Sequence, residues 1–393
     1  MTFSGRHYET GTIANALAAA GIVNPKTRSP YSEALAFGAS GGSAFGYFVF
    51  EYKGESPHVA ILPRNTFSPF ERALDNLAII RDTRETTDPD RAEKNLIKEL
   101  DAGQPVIVWA DVFSLPHRGL GPVNYWAMQP MLVIGMDGDD FLIADGSDVV
   151  SRVSAPDLKL ARAKVKKDRN RTTILERVDG AGLGAGLNRG IETCAALYLD
   201  KPPAGSVDNF GVAGLRNWAN LLENQKSGKG WAKQFAPGPA LAQALVGGAC
   251  YFGVWEWIET WGTCGGADRA TQAAFLREAA DWTGRPALLE AAEHFEASGP
   301  LWTQLADAAM PASVPTIQEI KRLKLESRRL WREEGWTTAE ARRSARARVL
   351  ELIPEVAASA ELAASAVGMR SEIADLVRRI ADIEEAAAHA MRR

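Results

Sequence analysis

The sequence is poor in the residues that build disulfide frameworks and metal centres. Its 393 residues include three cysteines, at positions 194, 250 and 264, and five histidines. The cysteines are odd in number and far apart, and the histidines show no HExxH-type spacing. We therefore expect neither a disulfide framework nor a zinc site, and we predict no metal and no cofactor.

Long apolar runs and an excess of one charge are also missing. With 45 Lys+Arg against 49 Asp+Glu, the formal charge is −4, so no nucleic-acid partner is expected. No stretch approaches the ~18 apolar residues that cross a bilayer, and residues 1–7 lack the apolar core of a signal peptide. We therefore expect no membrane span and a cytoplasmic location.

The first ~180 residues predict helices followed by a mostly antiparallel sheet. Residues 10–20 form an alanine-rich helix, with Glu9 or Thr10 at its N-terminus. Short apolar or β-branched runs at 105–111, 131–135, 141–145 and 172–177 predict strands, and Asp137-Gly138 predicts a hairpin turn between two of them. The fold class expected from this pattern is α+β.

The second half predicts helices almost throughout. Five glycines within residues 179–190 favour a linker or mobile loop, and three-to-four-residue apolar spacing follows it. We therefore predict domains at 1–180, 191–310 and 311–393. Nine of the eleven tryptophans lie beyond residue 210, which indicates an aromatic core or an apolar pocket.

The C-terminal segment allows two interpretations. Residues 321–348 are rich in Lys and Arg, as in a membrane-surface helix, but interleaved glutamates favour a solvated helix face. The whole of 311–393 predicts an amphipathic helical hairpin. Its apolar stripe could be buried against a second copy of the chain, which predicts a homo-oligomer.

The glycine-rich loop 38–46 is not a nucleotide loop. It follows a helix, precedes a strand and lacks Gly-Lys-Ser/Thr. Backbone N–H groups at Gly41 and Gly42 could bind a carboxylate or an oxyanion, and plain helix-to-strand punctuation is an equal alternative.

Residues 7–9, at the start of the first helix, occupy the position of a cysteine-type nucleophile. The helix N-terminus would depress the pKa of a thiol there, but Tyr8 is a phenol and a poor acyl acceptor near neutrality. Taken alone, the triplet His7-Tyr8-Glu9 favours a structural role.

A papain-type enzyme places its base at the start of a central strand and its orienting acid on the next strand. Those positions hold Gln129, which cannot shuttle a proton, and Asp145, which could also be an ordinary turn former. Trp109 and Asp111 end a neighbouring strand and are candidate substrate contacts, although Trp109 could instead be a core aromatic.

Seven segments together resemble one known family. They are 5–10 (GRHYET), 32–38 (SEALAFG), 41–48 (GGSAFGYF), 105–111 (PVIVWAD), 131–135 (MLVIG) with Asp145, 210–219 (FGVAGLRNWA) and 262–269 (GTCGGADR) leading to 275–278 (FLRE). In this order they are similar to butirosin-biosynthesis-protein-H-like proteins over residues 5–310. The resemblance implies a papain-like, peptidase-C39-like N-terminal domain followed by an all-α domain of unknown function.

The resemblance also implies acyl transfer from a carrier-protein thioester to an amine, with a cysteine nucleophile. This chain departs from that pattern twice, because Tyr8 replaces the cysteine and Gln129 replaces the histidine. Of the triad only Asp145 remains, so the chain carries a pseudo-triad. Cys194, Cys250 and Cys264 all lie in the helical half and are not substitutes.

Two functions follow as hypotheses. The first is an acyltransferase-like or condensation enzyme of secondary metabolism that joins a thioester-activated acyl group to an amine or hydroxyl acceptor by proximity and electrostatics. Its site is predicted to comprise catalytic His7, Tyr8, Gln129 and Asp145, with Glu9, Gly41, Gly42, Tyr47, Trp109 and Asp111 binding the small-molecule substrate. The second is a catalytically degenerate binding or scaffold protein. New chemistry at the same site, such as cyclisation or hydrolysis, is a further alternative.

Overall fold

The computed structural model describes residues 3–121, 123, 125–249 and 252–393. By contact density these residues form two compact units, each assembled from three chain segments. The first unit takes 1–36, 73–186 and 325–346, and the second takes 37–72, 187–324 and 347–393. The division into 1–180, 191–310 and 311–393 stays a prediction about sequence organisation.

The first unit is built on a six-stranded antiparallel sheet. Its strands are β3 (Ile79–Arg84), β4 (Val106–Asp111), β5 (Met128–Asp137), β6 (Asp140–Ala144), β7 (Ser151–Ser154) and β8 (Thr172–Val178), in the order β3-β8-β4-β5-β6-β7. Strand β4 is buried along its whole length, as its unbroken apolar sequence predicts. The Asp137-Gly138 hairpin is confirmed, with Asp137 paired to Asp140.

The helices of the first unit pack around this sheet. They are α1 (Thr10–Ala19), α4 (Pro89–Asp101) and α5 (Ala155–Ala163), with short 3₁₀ turns at Pro116–Arg118, Lys166–Asp168 and Gly335–Thr338. Helices α4 and α5 begin as their sequences predict. The Asp88 carboxylate and the Ser154 hydroxyl accept N–H groups of the first turn, and a proline follows each cap.

The second unit is helical apart from one hairpin, β1 (Ser43–Phe50) with β2 (His58–Arg64). The helices wholly inside it are α7 (Gly211–Glu223), α8 (Trp231–Gln234), α9 (Pro239–Val246), α10 (Val254–Glu259), α11 (Arg269–Thr283), α12 (Ala287–Ala308) and α15 (Ala360–Arg392). Its 3₁₀ turns are Val207–Asn209 and Gly266–Asp268.

Five helices contribute residues to both units. They are α2 (Glu33–Ala39), α3 (Pro69–Asn76), α6 (Leu183–Leu199), α13 (Pro315–Glu334) and α14 (Ala339–Ala358). The units therefore do not coincide with single stretches of sequence.

The tryptophan-rich second half forms an aromatic core. Trp218, Trp231, Trp255 and Trp302 are fully buried there. The apolar stripe of α15, including Leu362, Ile373, Val377 and Ile380, belongs to the same core. The C-terminal helix thus uses its apolar face within its own chain.

The structure confirms the α+β class and corrects several element boundaries. The glycine-rich segment expected to be a loop is helical from Leu183 in α6, because its glycines let the helix approach neighbouring backbone. A Cβ on Gly186 would lie 1.7 Å from the Asn76 carbonyl oxygen. The runs that predicted strands did not include β3 and β7.

The helices were compared with the length and hydropathy that a membrane span requires. In the described ranges no single helix is both long and apolar enough to cross a bilayer. One bent pair, 315–358 with 360–392, passes that test only when the two helices are taken together.

Candidate functional site

The segment that leads into α1 is held by a carboxylate that sequence reasoning missed. Glu33 accepts the backbone N–H groups of Arg6 (2.7 Å) and His7 (3.0 Å) and the Thr10 hydroxyl (2.9 Å). A negative charge at a helix N-terminus is stabilising. Glu9 occupies the N-cap position but makes no capping bond with its side chain.

His7 and Tyr8 lie together at this turn. The Nδ1 atom of His7 accepts the backbone N–H of Glu9 at 3.1 Å, so the neutral ring carries its proton on Nε2. The ring centroids of His7 and Tyr8 are 4.1 Å apart. This tautomer favours His7 as a hydrogen-bond donor rather than as a base.

The turn is placed against the two positions expected to complete a triad. The Thr12 hydroxyl donates to the carbonyl of Pro130, which follows Gln129, and a guanidinium N–H of Arg6 donates to the carbonyl of Gly146, which follows Asp145 (3.4 Å each). Tyr8 precedes the N-cap residue Glu9 and lies outside the helix. The structure thus brings Thr12 of α1 to the residue after Gln129, and Arg6, ahead of the helix, to the residue after Asp145.

Gln129 is buried within the sheet. Gln129 is 7% exposed and pairs with Ala110 of β4.

Asp145 follows β6, and its carboxylate makes three contacts. The Ser151 hydroxyl donates to Oδ1 (3.1 Å), and His117 Nε2 (2.9 Å) and Arg118 (3.3 Å) bond to Oδ2.

These contacts decide the charge of Asp145. Burial by itself would raise the pKa of this carboxyl group, but the hydrogen bond and charge of His117, the charge of Arg118 and the Ser151 hydroxyl together lower that pKa below its usual value. Asp145 is therefore an ionised, buried carboxylate at neutral pH.

His117 is the main residue of this cluster that sequence reasoning missed. It lies on the 3₁₀ turn after β4, with its side chain only 5% exposed. Because Asp145 accepts from Nε2, the neutral ring has its lone pair on Nδ1. Nδ1 is buried, and no described residue forms a hydrogen bond with it. Nothing in the local sequence links His117 to a carboxylate 28 residues away.

A segment from the far end of the chain completes this cluster within the first unit. Arg342 donates to the carbonyl oxygens of His117 (2.6 Å) and Arg118. The Trp331 ring lies 4.3 Å from the Arg118 guanidinium carbon and 4.7 Å from that of Arg342, and its centroid is 6.1 Å from the His117 ring. Burial and the nearby charge of Arg118 lower the pKa of Arg342 to about 10. We call His117, Asp145, Arg118, Trp331 and Arg342 the His117 cluster.

Two other predicted contacts on β4 are engaged internally. The Asp111 carboxylate accepts the Ala127 N–H (2.8 Å) and the Ser114 hydroxyl (2.5 Å), which shapes the loop after the strand. Trp109 is 9% exposed, and the Arg171 guanidinium carbon lies 3.6 Å from its ring centroid.

Gly41, Gly42 and Tyr47 belong to the second unit and make their hydrogen bonds there. The N–H groups of Gly41 and Gly42 donate to the carbonyls of Gly38 and Phe37 (3.0 Å each). Both glycines have positive φ, of 99° and 61°. These two donors therefore serve the turn rather than an anion. Tyr47 is buried and accepts the Trp231 indole N–H at 2.8 Å.

Metal ligands and reactive thiols are sparse in the structure. No group of three or more His, Cys, Asp or Glu side chains suited to a metal occurs among the residues described. Cys194 is fully buried, its thiol donates to the Ser43 carbonyl, and burial raises its pKa. Cys264 is exposed. Cys250 lies outside the described residues.

Comparison with protein families agrees with this architecture. An antiparallel sheet formed by the N-terminal part of the chain, followed by helices, defines an α+β protein. The family model for the N-terminal domain of butirosin biosynthesis protein H matches residues 7–146, and that for a domain of unknown function (DUF4872) matches residues 157–340. The chain belongs to the butirosin-biosynthesis-protein-H-like family. No curated protein matches it.

Proposed function

We propose that this chain joins a thioester-activated acyl group to an amine or hydroxyl acceptor by direct transfer, without an acyl-enzyme intermediate. Its membership of a family named for an antibiotic-biosynthesis protein favours a role in secondary metabolism. The placement of α1 against β5 and against the residue after Asp145 favours the papain-like interpretation of the first unit. Tyr8 removes the cysteine route.

The observation that carries the proposal is the buried His117–Asp145 pair, whose Nδ1 lone pair has no hydrogen-bond partner among the described residues. An ionised aspartate fixes the imidazole tautomer and stabilises the imidazolium that forms when Nδ1 takes a proton. This arrangement supplies the base that Gln129 cannot provide. His7 does not serve as this base, because its Nδ1 atom already accepts a hydrogen bond from the Glu9 backbone.

The proposed reaction balances without a cofactor. The acceptor nitrogen or oxygen attacks the thioester carbonyl carbon and gives its proton to His117 Nδ1. The carbon–sulfur bond then breaks, and the leaving thiolate takes that proton. Tyr8 and the Nε2–H of His7 would donate to the developing oxyanion, and Gln129 would orient the acceptor. Nδ1 is buried, so substrate contact requires neighbouring side chains to move aside.

The test is thioester aminolysis followed by thiol release. The donors are the glycyl and 4-aminobutyryl thioesters of N-acetylcysteamine, and the acceptors are a panel of primary amines and polyols. His117→Gln should lower the rate at least 100-fold, as expected for loss of a general base. His294→Gln is the matched control, because His294 is also near a carboxylate, Glu290 at 4.0 Å, but is 34% exposed.

A wild-type rate no higher than that of heat-denatured protein, or equal rates for wild type and His117→Gln, would overturn the proposal. Mass spectrometry of the reaction mixture adds a second readout. Direct transfer predicts no acyl adduct on the protein, whereas an adduct on any cysteine would contradict the absence of a covalent intermediate.

The second candidate function is a catalytically degenerate binding or scaffold protein. It is favoured by the internal engagement of the polar groups at the predicted site, namely the Glu33 cap, the Asp111 carboxylate and the N–H groups of Gly41 and Gly42. Native mass spectrometry of freshly purified protein separates the candidates. A retained small molecule or a defined homo-oligomer, combined with no thioester turnover, would support the binding role.

A further inference from the structure

A groove in the second unit has the properties of a second ligand site. It has a volume of about 730 Å³, within the roughly 300–1,000 Å³ typical of small-molecule sites. One wall is the face of β1 that carries Tyr47 and Val49, since alternate residues of a strand share a face, and Glu51 follows directly after the strand. The other walls come from the 3₁₀ turn 207–209 with its flank, from α7 and from α8.

Tyr47 places a hydrogen-bond donor at this groove. Its hydroxyl oxygen accepts the Trp231 indole N–H at 2.8 Å, and an indole nitrogen can only donate. The O–H proton of Tyr47 is therefore not used in this bond, and among the described residues the hydroxyl has no other hydrogen-bond partner. Burial raises the pKa of Tyr47, so the phenol stays protonated at neutral pH.

The position of this donor is fixed. Tyr47 is 4% exposed, and its ring stacks on Trp218 with centroids 5.6 Å apart. A buried donor without an acceptor is destabilising, and an acceptor atom in the groove would relieve that cost. The residue is thus a rigid, nine-tenths-buried polar group that lines a cavity.

The remaining polar groups offer both donors and acceptors. The Asn217 amide N–H donates to the Asp208 carbonyl (3.0 Å), and the Gln234 amide N–H donates to Glu51 (3.0 Å). The side-chain carbonyl oxygens of Asn217 and Gln234 take no part in these two bonds, and they can accept hydrogen bonds from a ligand. Glu51 and Asp208 are partly balanced by Lys229, and Val49 and Leu221 are the apolar side chains of the lining.

We propose that this groove binds an uncharged, hydroxyl-rich molecule of sugar type, with one of its oxygens accepting the Tyr47 hydroxyl proton. Mixed amide, carboxylate and hydroxyl groups match ligands whose hydroxyls both donate and accept. Val49 and Leu221 are too few aliphatic side chains to enclose an acyl chain, and the near-balanced charge argues against a polyanion. The inference does not depend on acyl transfer at the His117 cluster.

The experiment is saturation-transfer NMR of the full chain with glucose, maltose, maltotriose and myo-inositol at millimolar concentration. At least one of these probes should bind the wild type. Gly228→Trp should lower its affinity at least tenfold, because Gly228 lines the groove and a Cβ there meets no atom within 4 Å. Gly368→Trp is the matched control: its Cβ is equally unobstructed, and it lies outside the groove.

Tyr47→Phe tests the donor itself. It should weaken binding of the same probe at least tenfold, whereas Tyr52→Phe, on an exposed tyrosine of the same hairpin region, should not. Tyr47→Phe also leaves the Trp231 N–H without its acceptor, so the Gly228→Trp variant keeps the test independent of stability. Failure of all four probes to bind wild type, or equal binding by Gly228→Trp and wild type, would overturn the inference. Retention of sugar binding by His117→Gln separates it from the proposed function.

Discussion

The buried ion pair Arg269–Glu384 provides the sharpest stability prediction. Both side chains are fully buried in the second unit, with Arg269 Nε 2.8 Å and Nη2 2.9 Å from the two carboxylate oxygens. The carboxylate also accepts from the hydroxyls of Tyr198 and Ser298 and from the Trp302 indole (2.7 Å). Glu384 lies on α15, so this network fixes the C-terminal helix to its unit.

Glu384→Gln should destabilise the protein by about 3–5 kcal/mol, because it leaves the Arg269 charge buried without its counter-charge. It also directs an amide N–H₂ toward donors. The assay is urea unfolding of the full chain followed by far-UV circular dichroism and tryptophan fluorescence. The matched control is Glu385→Gln, at the next residue, which should cost less than about 1 kcal/mol because its pair with Arg216 is half-exposed.

Equal losses of stability for Glu384→Gln and Glu385→Gln would refute this reasoning. The double variant Arg269→Met/Glu384→Leu gives an independent check, since removing both charges should cost less than removing one. A double variant less stable than Glu384→Gln would show that the hydrogen bonds, rather than the unpaired charge, dominate.

Further predictions concern pH, the α1 turn and the thiols. Burial raises the pKa of Glu384, but the charge and hydrogen bonds of Arg269 and its neighbours outweigh burial, so the pKa in the folded state is lowered. The unfolded pKa of a glutamate is about 4.3. The stabilisation by Glu384 is therefore complete above that pH and is lost as the pH falls through the lower folded pKa. The cost of Glu384→Gln should therefore shrink on acidification, and a constant cost down to the folded pKa would contradict this assignment. Glu33→Ala should destabilise the first unit by about 1–2 kcal/mol, as measured by thermal unfolding, because it removes the acceptor of the Arg6 and His7 N–H groups just before α1; Glu9→Ala should have a smaller effect. Iodoacetamide under native conditions should modify Cys264 and not Cys194, as read by peptide mass spectrometry; rapid modification of Cys194 would contradict its burial.

The His117 cluster needs residues that lie far beyond the matched N-terminal domain. The two matched models end at residues 146 and 340, whereas the first compact unit includes 325–346. A truncated N-terminal fragment would lack Trp331 and Arg342 of the His117 cluster. All the experiments above therefore use the full chain.

The sequence alone was sufficient for the α+β class, the family, the strands with unbroken apolar runs and the replacement of two triad residues by Tyr8 and Gln129. These features depend on local periodicity and on residue identity at fixed motif positions. Only the tertiary structure paired Asp145 with His117, covered that pair with Trp331 and Arg342, and joined Arg269 to Glu384 over 115 residues of sequence. Such pairings leave no periodic trace in the chain, because burial and hydrogen bonding are decided by which distant segments pack together.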